Sequence, residues 1–240
     1  MSRLILCEGK TDAILLSYYL EKVCGWTYTR APKDLSIRES GTNESVNWYE
    51  KDGEKLLICG VGGKDNFGNF YTRAIRAPLI TANAFEKIAV VLDRDDREIE
   101  DIEQSIETAL GPVIPRMKNQ KWTSCQYTDS FKMEQNLALL LIVIPLEQQG
   151  ALETVLLEAI SEDAYDRNIV ERCRRFVDEI RPEADRYISS DRLQLKADLS
   201  VTWAVQSPQK VFDFIDKQIR SVHWESSRTL RECFCELEKI

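Results

Sequence analysis

Four short runs of Leu, Ile and Val constrain the fold of this 240-residue chain more than any other feature. They cover residues 3–7, 55–60, 87–92 and 137–146, and show little of the alternation typical of strands with one exposed face. Runs of this kind are typical of strands covered on both faces. Helical patterns lie between them, so the order β-α-β-α-β-α-β predicts a parallel sheet with right-handed crossovers.

The connecting helices are predicted from the spacing of their apolar residues. Residues 12–23 place an apolar face on one side of a helix, formed by Ile14, Leu15, Tyr18, Tyr19 and Val23. Residues 96–110 show the same spacing and end at Gly111-Pro112. Residues 70–84 are a weaker helix interrupted at Pro78, and residues 46–51 with Asp52-Gly53 predict a hairpin into the second strand.

The pattern changes after residue 150. Residues 151–160, 166–180, 193–205, 208–221 and 226–240 all predict helices. We therefore expect an α/β domain over residues 1–150 and a helical C-terminal region over residues 151–240 packed on it. Four aromatic residues of that region fall at helical spacings and are predicted to be core: Trp203, Phe212, Phe214 and Trp224.

Composition excludes several kinds of site. The chain has one histidine, His223, which rules out HExxH and multi-histidine metal sites. Its seven cysteines are scattered without a CxxC pair, which predicts reduced thiols in a cytoplasmic protein. No apolar run reaches the roughly 18 residues of a membrane span. The net charge of −8 argues against coating nucleic acid by bulk charge, but permits contact with phosphate through metal ions.

Acidic residues follow the first and third apolar runs. Glu8 ends the first run and Asp12 opens the next helix, while Asp93, Asp95 and Asp96 crowd the end of the third. On an extended backbone Asp93 and Asp95 share one face, and paired carboxylates at the end of a parallel sheet suit Mg²⁺. The alternative is local: Asp12 is a first-turn helix acid, and Asp95 or Asp96 caps the following helix.

Together these two segments resemble a known family. Glu8-Gly9-Lys10-Thr11-Asp12 and Asp93-Arg94-Asp95 match the EGxxD and DxD motifs of the Toprim domain, which occurs in topoisomerases, primases and several nucleases. The resemblance covers roughly residues 1–150. It implies a Rossmannoid α/β fold and a Mg²⁺ site for which Mn²⁺ can substitute. Glu8 would be a metal ligand and general base, and Asp93 and Asp95 the paired ligands. Asp12 lies four residues beyond Glu8, within reach of the same pocket, and is a further predicted ligand.

Further segments resemble the OLD-like (overcoming lysogenization defect) nucleases within this family. The loop at residues 60–67 resembles their GK-containing loop, in which the backbone of Gly63 and the side chain of Lys64 would face phosphate. Glu153 matches an acid that completes a second metal site, although Ala151 stands where those nucleases usually have Ser. Lys196 matches a catalytic lysine near the metals. The local alternatives are a flexible turn for the loop and a helix-surface lysine for Lys196.

The sequence therefore predicts a nuclease that uses one or two Mg²⁺ ions on DNA or RNA. No P-loop occurs in the chain, so an ATPase would be a separate partner, and a homodimer is a further expectation. Residues 115–133 combine Arg116, Lys118, Lys121 and Lys132 with Trp122 and Tyr127, which predicts a loop that contacts a nucleic-acid strand or is merely solvated. Two alternatives remain: a primase-like nucleotidyltransferase, disfavoured because no zinc-binding cysteine cluster occurs, and a non-catalytic effector or partner-binding protein.

Overall fold

A computed structural model describes residues 2–209 of the chain. The chain divides into two compact units, Met1–Leu156 and Leu157–Ile240. The predicted helix at residues 226–240, most of that at residues 208–221, and His223 lie outside the described residues.

A seven-stranded sheet forms the centre of the first unit. Its strands are β1 (Ser2–Cys7), β2 (Thr27–Thr29), β3 (Ser45–Lys51), β4 (Glu54–Gly60), β5 (Phe85–Asp93), β6 (Thr123–Thr128) and β7 (Glu134–Ile144), in the order β2-β3-β4-β1-β5-β7-β6. The four central strands β4, β1, β5 and β7 are parallel and are the four predicted apolar runs. The predicted α/β class is therefore confirmed, and so is the hairpin at Asp52-Gly53, where both residues have positive φ.

The strands of the first unit are connected by the helices α1 (Lys10–Cys24), α2 (Phe67–Phe70), α3 (Arg76–Ala82) and α4 (Ile99–Leu110). Helix α5 (Leu152–Ile160) follows the last strand, β7, and crosses the boundary between the two units. A π-helical turn, Tyr71–Ile75, joins α2 to α3, so the segment is helical through Pro78. Pro78 has no N–H and its ring excludes the carbonyl of Ala74. The wider turn immediately before it accommodates both effects.

Helix α1 packs on the sheet by a different face from the one predicted. Four residues, Ala13, Leu16, Leu20 and Cys24, pack in the cluster that holds Cys7, Leu56 and Ile58 of the sheet. Of the residues predicted to form one apolar face, Leu15 is half-buried and the other four, Ile14, Tyr18, Tyr19 and Val23, are solvent-exposed. Both faces of the helix are apolar, so periodicity alone could not choose between them. The rotation of the first turn is fixed by Asp12, whose Oδ2 accepts the N–H of Gly9 at 3.0 Å.

The other side of the sheet carries the larger core, which includes Phe67, Phe70, Ile102 and Ile106 from the helices α2 and α4.

The structure contradicts the prediction of a loop over residues 115–133. Strand β6 lies within that segment and pairs antiparallel with β7. Strand β6 lies at the edge of the sheet, where polar residues alternate with the inward-facing Cys125 and Tyr127. That two-residue period is typical of a half-exposed strand. The charged residues interleaved around it are typical of a loop, which is why the sequence pattern predicts one here.

The described part of the second unit contains α6 (Ala164–Ile180) and α7 (Asp191–Gln206), which confirms a helical C-terminal region. The Asp163 and Ser190 side chains cap their N-termini by accepting backbone N–H groups. Trp203 of α7 is 46% exposed, so its predicted core position is wrong. Within residues 2–209 no helix is both long and apolar enough to cross a lipid bilayer.

Candidate functional site

The two acidic segments identified in the sequence meet at one edge of the sheet. Strands β1 and β5 are parallel neighbours, with Cys7 opposite Val91, so both end at the same edge. Glu8 follows β1 directly, and Asp93 is the last residue of β5. The Oε1 atom of Glu8 accepts the backbone N–H of Asp93 at 3.0 Å, and both carboxyl groups are buried. The sequence prediction that these acids share one site agrees with this contact.

Asp93 lies among further carboxylates. Burial, followed by the charges of Glu8 and Asp12, raises the pKa of Asp93 to about 7, and the charge of Glu153 acts in the same direction. The backbone N–H of Leu152, which donates to Asp93 Oδ1 at 2.9 Å, opposes this shift. Four carboxyl groups, contributed by β5, α5 and the turn from β1 into α1, therefore lie close enough to interact electrostatically.

The turn that carries Glu8 and Asp12 packs tightly against the end of β4. A Cβ atom at Gly60 would lie 2.6 Å from the carbonyl oxygen of Gly9, a distance that real Cβ contacts do not show. Only glycine therefore allows β4 to approach this turn. This close approach positions Glu8 next to the loop that follows β4.

That loop, residues 61–64, is bonded to the chain around Glu8. Val61 donates its N–H to the carbonyl of Cys7 at 2.9 Å, and Gly62 and Gly63 donate to the carbonyl of Glu8 at 3.0 and 2.8 Å. The predicted role of these backbone N–H groups in facing phosphate does not fit, because they bind these carbonyl oxygens. The Lys64 side chain points to the acidic edge, where its Nζ lies 3.1 Å from Asp95 Oδ2.

Asp95 occupies a different position from the one that strand geometry predicted. Strand β5 ends at Asp93, and Asp95 has a φ of 52°, in the left-handed region. The backbone of Asp95 exchanges two hydrogen bonds with Gly150, at 2.7 and 2.9 Å. Asp93 and Asp95 therefore do not share the face of an extended strand. The predicted capping role of Asp95 or Asp96 is also wrong, because Glu98 occupies the N-cap position of α4.

Two groups at the start of α5 could not be found from the sequence. One is the Leu152 N–H that binds Asp93, and the other is the Thr154 hydroxyl, which accepts the N–H of Ala151 at 3.3 Å. A backbone donor carries no sequence signal, and a threonine in the first turn of a helix is common. Ala151 itself is buried, so the structure has no side-chain hydroxyl at the position where the resemblance implies Ser.

The remaining predicted catalytic residue, Lys196, is exposed on α7 and belongs to the second unit. Within residues 2–209, no three or more Cys, His, Asp or Glu side chains are already arranged to hold a metal ion. The acids around Asp93 nevertheless provide oxygen donors only, which is the chemistry of a hard divalent cation such as Mg²⁺. Five cysteines of the described residues are free thiols: Cys7, Cys24, Cys59, Cys125 and Cys173.

Comparison with known proteins identifies the family of the chain. No curated protein matches it. Among solved structures, the hypothetical protein PH0156 from Pyrococcus horikoshii OT3 is similar, with 15% sequence identity, a TM-score of 0.45, and coverage of 90% of this chain and 95% of that one. The family model described as Protein of unknown function (DUF3226) matches residues 2–229, and the chain belongs to that family.

Proposed function

We propose that this chain is a Mg²⁺-dependent nuclease of the Toprim type, which hydrolyses phosphodiester bonds in nucleic acid. The observation that carries the proposal is the contact of Glu8 with the backbone of Asp93 at the ends of two neighbouring parallel strands. Ligand sites in open α/β sheets lie at the carboxyl ends of the strands. The EGxxD and DxD motifs thus contribute their acids to one edge.

The donor set fits Mg²⁺. Glu8, Asp12 and Asp93 would hold one ion, and Glu153 would contribute to a second, with Mn²⁺ able to substitute for either. Burial, and then the negative charges of Glu8, Asp12 and Glu153, raise the pKa of Asp93, and a divalent cation among these acids would favour its ionised form. When bound, Mg²⁺ neutralises phosphate charge and makes a bound water more acidic.

The protein's own side chains would position the substrate and move the proton. Glu8 is the candidate general base, because it is buried beside Asp93 at the edge where the substrate would bind. Lys64 is paired with Asp95, and a phosphate group that attracts Lys64 would release Asp95 toward the metal. Lys196 remains a catalytic candidate on the resemblance alone.

The substrate class and setting follow the same proposal. Phosphodiester hydrolysis by carboxylate-held Mg²⁺ applies to DNA and to RNA, so both are candidate substrates. The chain would act in the cytoplasm, where thiols are kept reduced. A separate ATPase would supply regulation of the kind that OLD-type nucleases carry on their own chain.

A second candidate function is non-catalytic binding. It is favoured by Ala151, which is buried and provides no hydroxyl where the resemblance implies Ser. In that case the acids would hold a metal that stabilises the fold or a partner interface, and nucleic acid would not be cleaved.

Cleavage assays distinguish these two functions. Labelled DNA and RNA are incubated with wild type, Glu8→Gln and Asp93→Asn, in Mg²⁺, Mn²⁺ or EDTA. Exposed acids of the second unit supply matched controls, Glu179→Gln and Asp185→Asn. We expect EDTA to abolish cleavage and each site variant to lose about 100-fold or more, with the controls near wild type. Equal cleavage by wild type and Asp93→Asn would contradict the nuclease proposal. Binding of Mn²⁺ by wild type without cleavage of either substrate would support the non-catalytic function.

A further inference from the structure

The helices α6 and α7 leave an apolar groove between them. Its volume is about 360 Å³, and it is lined by Ile169, Arg172, Cys173, Phe176, Val201 and Val205. Phe176 is 49% exposed and Val205 is 53% exposed. Both helices therefore contribute large apolar side chains to a surface that is open to solvent.

The groove follows the helical period on both sides. On α6, Ile169, Cys173 and Phe176 are spaced i, i+4 and i+7. On α7, Val201 and Val205 are spaced i and i+4. Residues at these spacings lie on one face of a helix, so each helix contributes a continuous stripe. Two such stripes side by side form a surface into which the side-chain ridge of a third helix packs.

The lining of the groove favours a protein segment over a small ligand. Sites for small ligands combine apolar walls with several convergent polar groups. Arg172 is the one charged residue among the described residues that line the groove, and its Nε donates to Asn168 Oδ1 at 3.2 Å. The groove therefore matches the apolar face of a helix.

The chain continues from one end of this groove. Helix α7 ends at Gln206, directly after Val205. Pro208 has no N–H with which to continue the helix, so the chain changes direction there. Two antiparallel helices need a connection of only about two to five residues. The segment that follows α7 can therefore return along the groove.

That segment carries a matching apolar stripe. In the predicted helix at residues 208–221, Phe212, Ile215 and Ile219 are spaced i, i+3 and i+7. A helix of this length is about 21 Å long, whereas the α6 side of the groove covers about two turns, or about 11 Å. The segment is therefore long enough to cover the whole groove.

We propose that the groove between α6 and α7 binds the predicted helix at residues 208–221 of the same chain. The helix runs antiparallel to α7 and inserts Phe212, Ile215 and Ile219 between the two stripes. The proposal does not rest on the nuclease function, since none of these residues belongs to the acidic edge around Asp93.

Hydrogen exchange of the full chain, followed by mass spectrometry, tests whether the segment is bound. In wild type, peptides from residues 211–221 should exchange at least about tenfold more slowly than an unstructured chain. Phe176→Asp places a charge in the groove and should remove this protection. The control Phe131→Asp, at a position 73% exposed in the first unit, should keep it. Absence of protection in wild type overturns the proposal, and so does protection that Phe176→Asp leaves unchanged.

A disulfide tests the placement of the helix without altering the groove. Gln194 near the start of α7 donates to Asp178 near the end of α6, so these two helices are antiparallel. A helix that returns along α7 from a turn at Pro208 then brings Ile219 within about one turn of Cys173. Cys173 lines the groove and is a free thiol.

Ile219→Cys is therefore expected to form an intrachain disulfide with Cys173 under mild oxidation with diamide. Lys217→Cys is the matched control, because position 217 lies on the opposite side of the predicted helix from the apolar stripe. Mass spectrometry of the digested chain should show at least about tenfold more of this link in Ile219→Cys than in Lys217→Cys. Equal yields overturn the proposed placement. A disulfide between two chains would assign the groove to a second copy and overturn the intrachain proposal.

Discussion

The carboxylate of Glu8 accepts the backbone N–H of Asp93 at 3.0 Å, so the residue after β1 is bonded to the end of β5. Replacing Glu8 with Ala leaves this buried N–H without its acceptor, whereas Gln retains an oxygen at the same reach. We expect Glu8→Ala to be less stable than Glu8→Gln by about 1–3 kcal/mol in urea unfolding. Equal stability of the two variants would show that this hydrogen bond contributes nothing.

Asp93 should make stability depend on pH. Its folded pKa of about 7 lies above the ordinary value of 3.8, so the native state binds more protons than the unfolded state between these values. The contribution of Asp93 to stability therefore falls as the pH rises from about 4 to about 7. Above about pH 7, the ionised Asp93 destabilises the native state by its full amount. Without divalent ions, Asp93→Asn should be more stable than wild type by about 2 kcal/mol or more at pH 8, and nearly equal at pH 4.

Urea unfolding of both proteins from pH 4 to pH 8 measures that difference. Burial also raises the pKa of Asp198 in α7, to about 6, so Asp198 contributes to the same slope in wild type. Asp198 is common to wild type and Asp93→Asn, so its effect cancels in the comparison. A stability difference that does not grow with pH contradicts the assignment of the raised pKa to Asp93.

The pKa of Glu103 in α4 is shifted in the opposite direction from that of Asp93. This buried carboxylate accepts hydrogen bonds from Lys118 Nζ at 2.7 Å, Asn119 N at 3.0 Å and Arg116 at 3.2 Å. Burial raises its pKa, but these partners, with Lys118 the largest, lower it by more. The net folded pKa is lowered, so the contribution of Glu103 is present above its ordinary pKa and is lost as the pH falls through the folded value.

We expect Glu103→Ala to lose about 2 kcal/mol or more at pH 7, because it leaves the Asn119 N–H and two cations without their shared acceptor. Glu107→Ala, an exposed acid on the same helix, should change stability by less than about 0.5 kcal/mol. Chemical denaturation at pH 7 and pH 3 measures both the stability lost in Glu103→Ala and the direction in which that loss changes with pH. A loss for Glu103→Ala that is unchanged at pH 3 would exclude the ionised carboxylate as its source.

Gly60 should tolerate no side chain. Its Cβ would lie 2.6 Å from the Gly9 carbonyl oxygen and 2.7 Å from Ser45 Oγ, so Gly60→Ala must push β4 away from the turn that carries Glu8. We expect a loss of about 1–3 kcal/mol. Gly41→Ala is the control, since the nearest atom to its added Cβ is 4.0 Å away. Thermal unfolding of the two variants gives the comparison, and similar melting temperatures would refute it.

Much of the fold follows from the sequence because the four central strands are covered on both faces, and such strands are apolar throughout. The proximity of Glu8 and Asp93 follows as well, since parallel neighbours end at the same edge. The rotation of α1 does not follow, because the helix is apolar on two sides and the bond from Gly9 to Asp12 selects one of them.

Local backbone conformation limited the prediction of the site. Asp95 leaves the extended conformation through a positive φ and pairs with Gly150, which lies far away in sequence. The contact between Asp93 and the Leu152 N–H depends on where α5 begins in space rather than on a side chain. Lys64 and Asp95 nevertheless lie at the predicted edge of the sheet. They are joined there by an ion pair, and not by the extended strand that the sequence predicted for Asp95.

Calorimetric titration with Mn²⁺ at pH 8 tests the central claim most directly, because it measures metal binding without requiring a substrate. Wild type and the control Asp185→Asn should bind one or two ions, and Asp93→Asn should lose at least about tenfold in affinity, or about 1.4 kcal/mol. No binding by wild type, or equal binding by wild type and Asp93→Asn, would contradict a metal site built on Glu8 and Asp93.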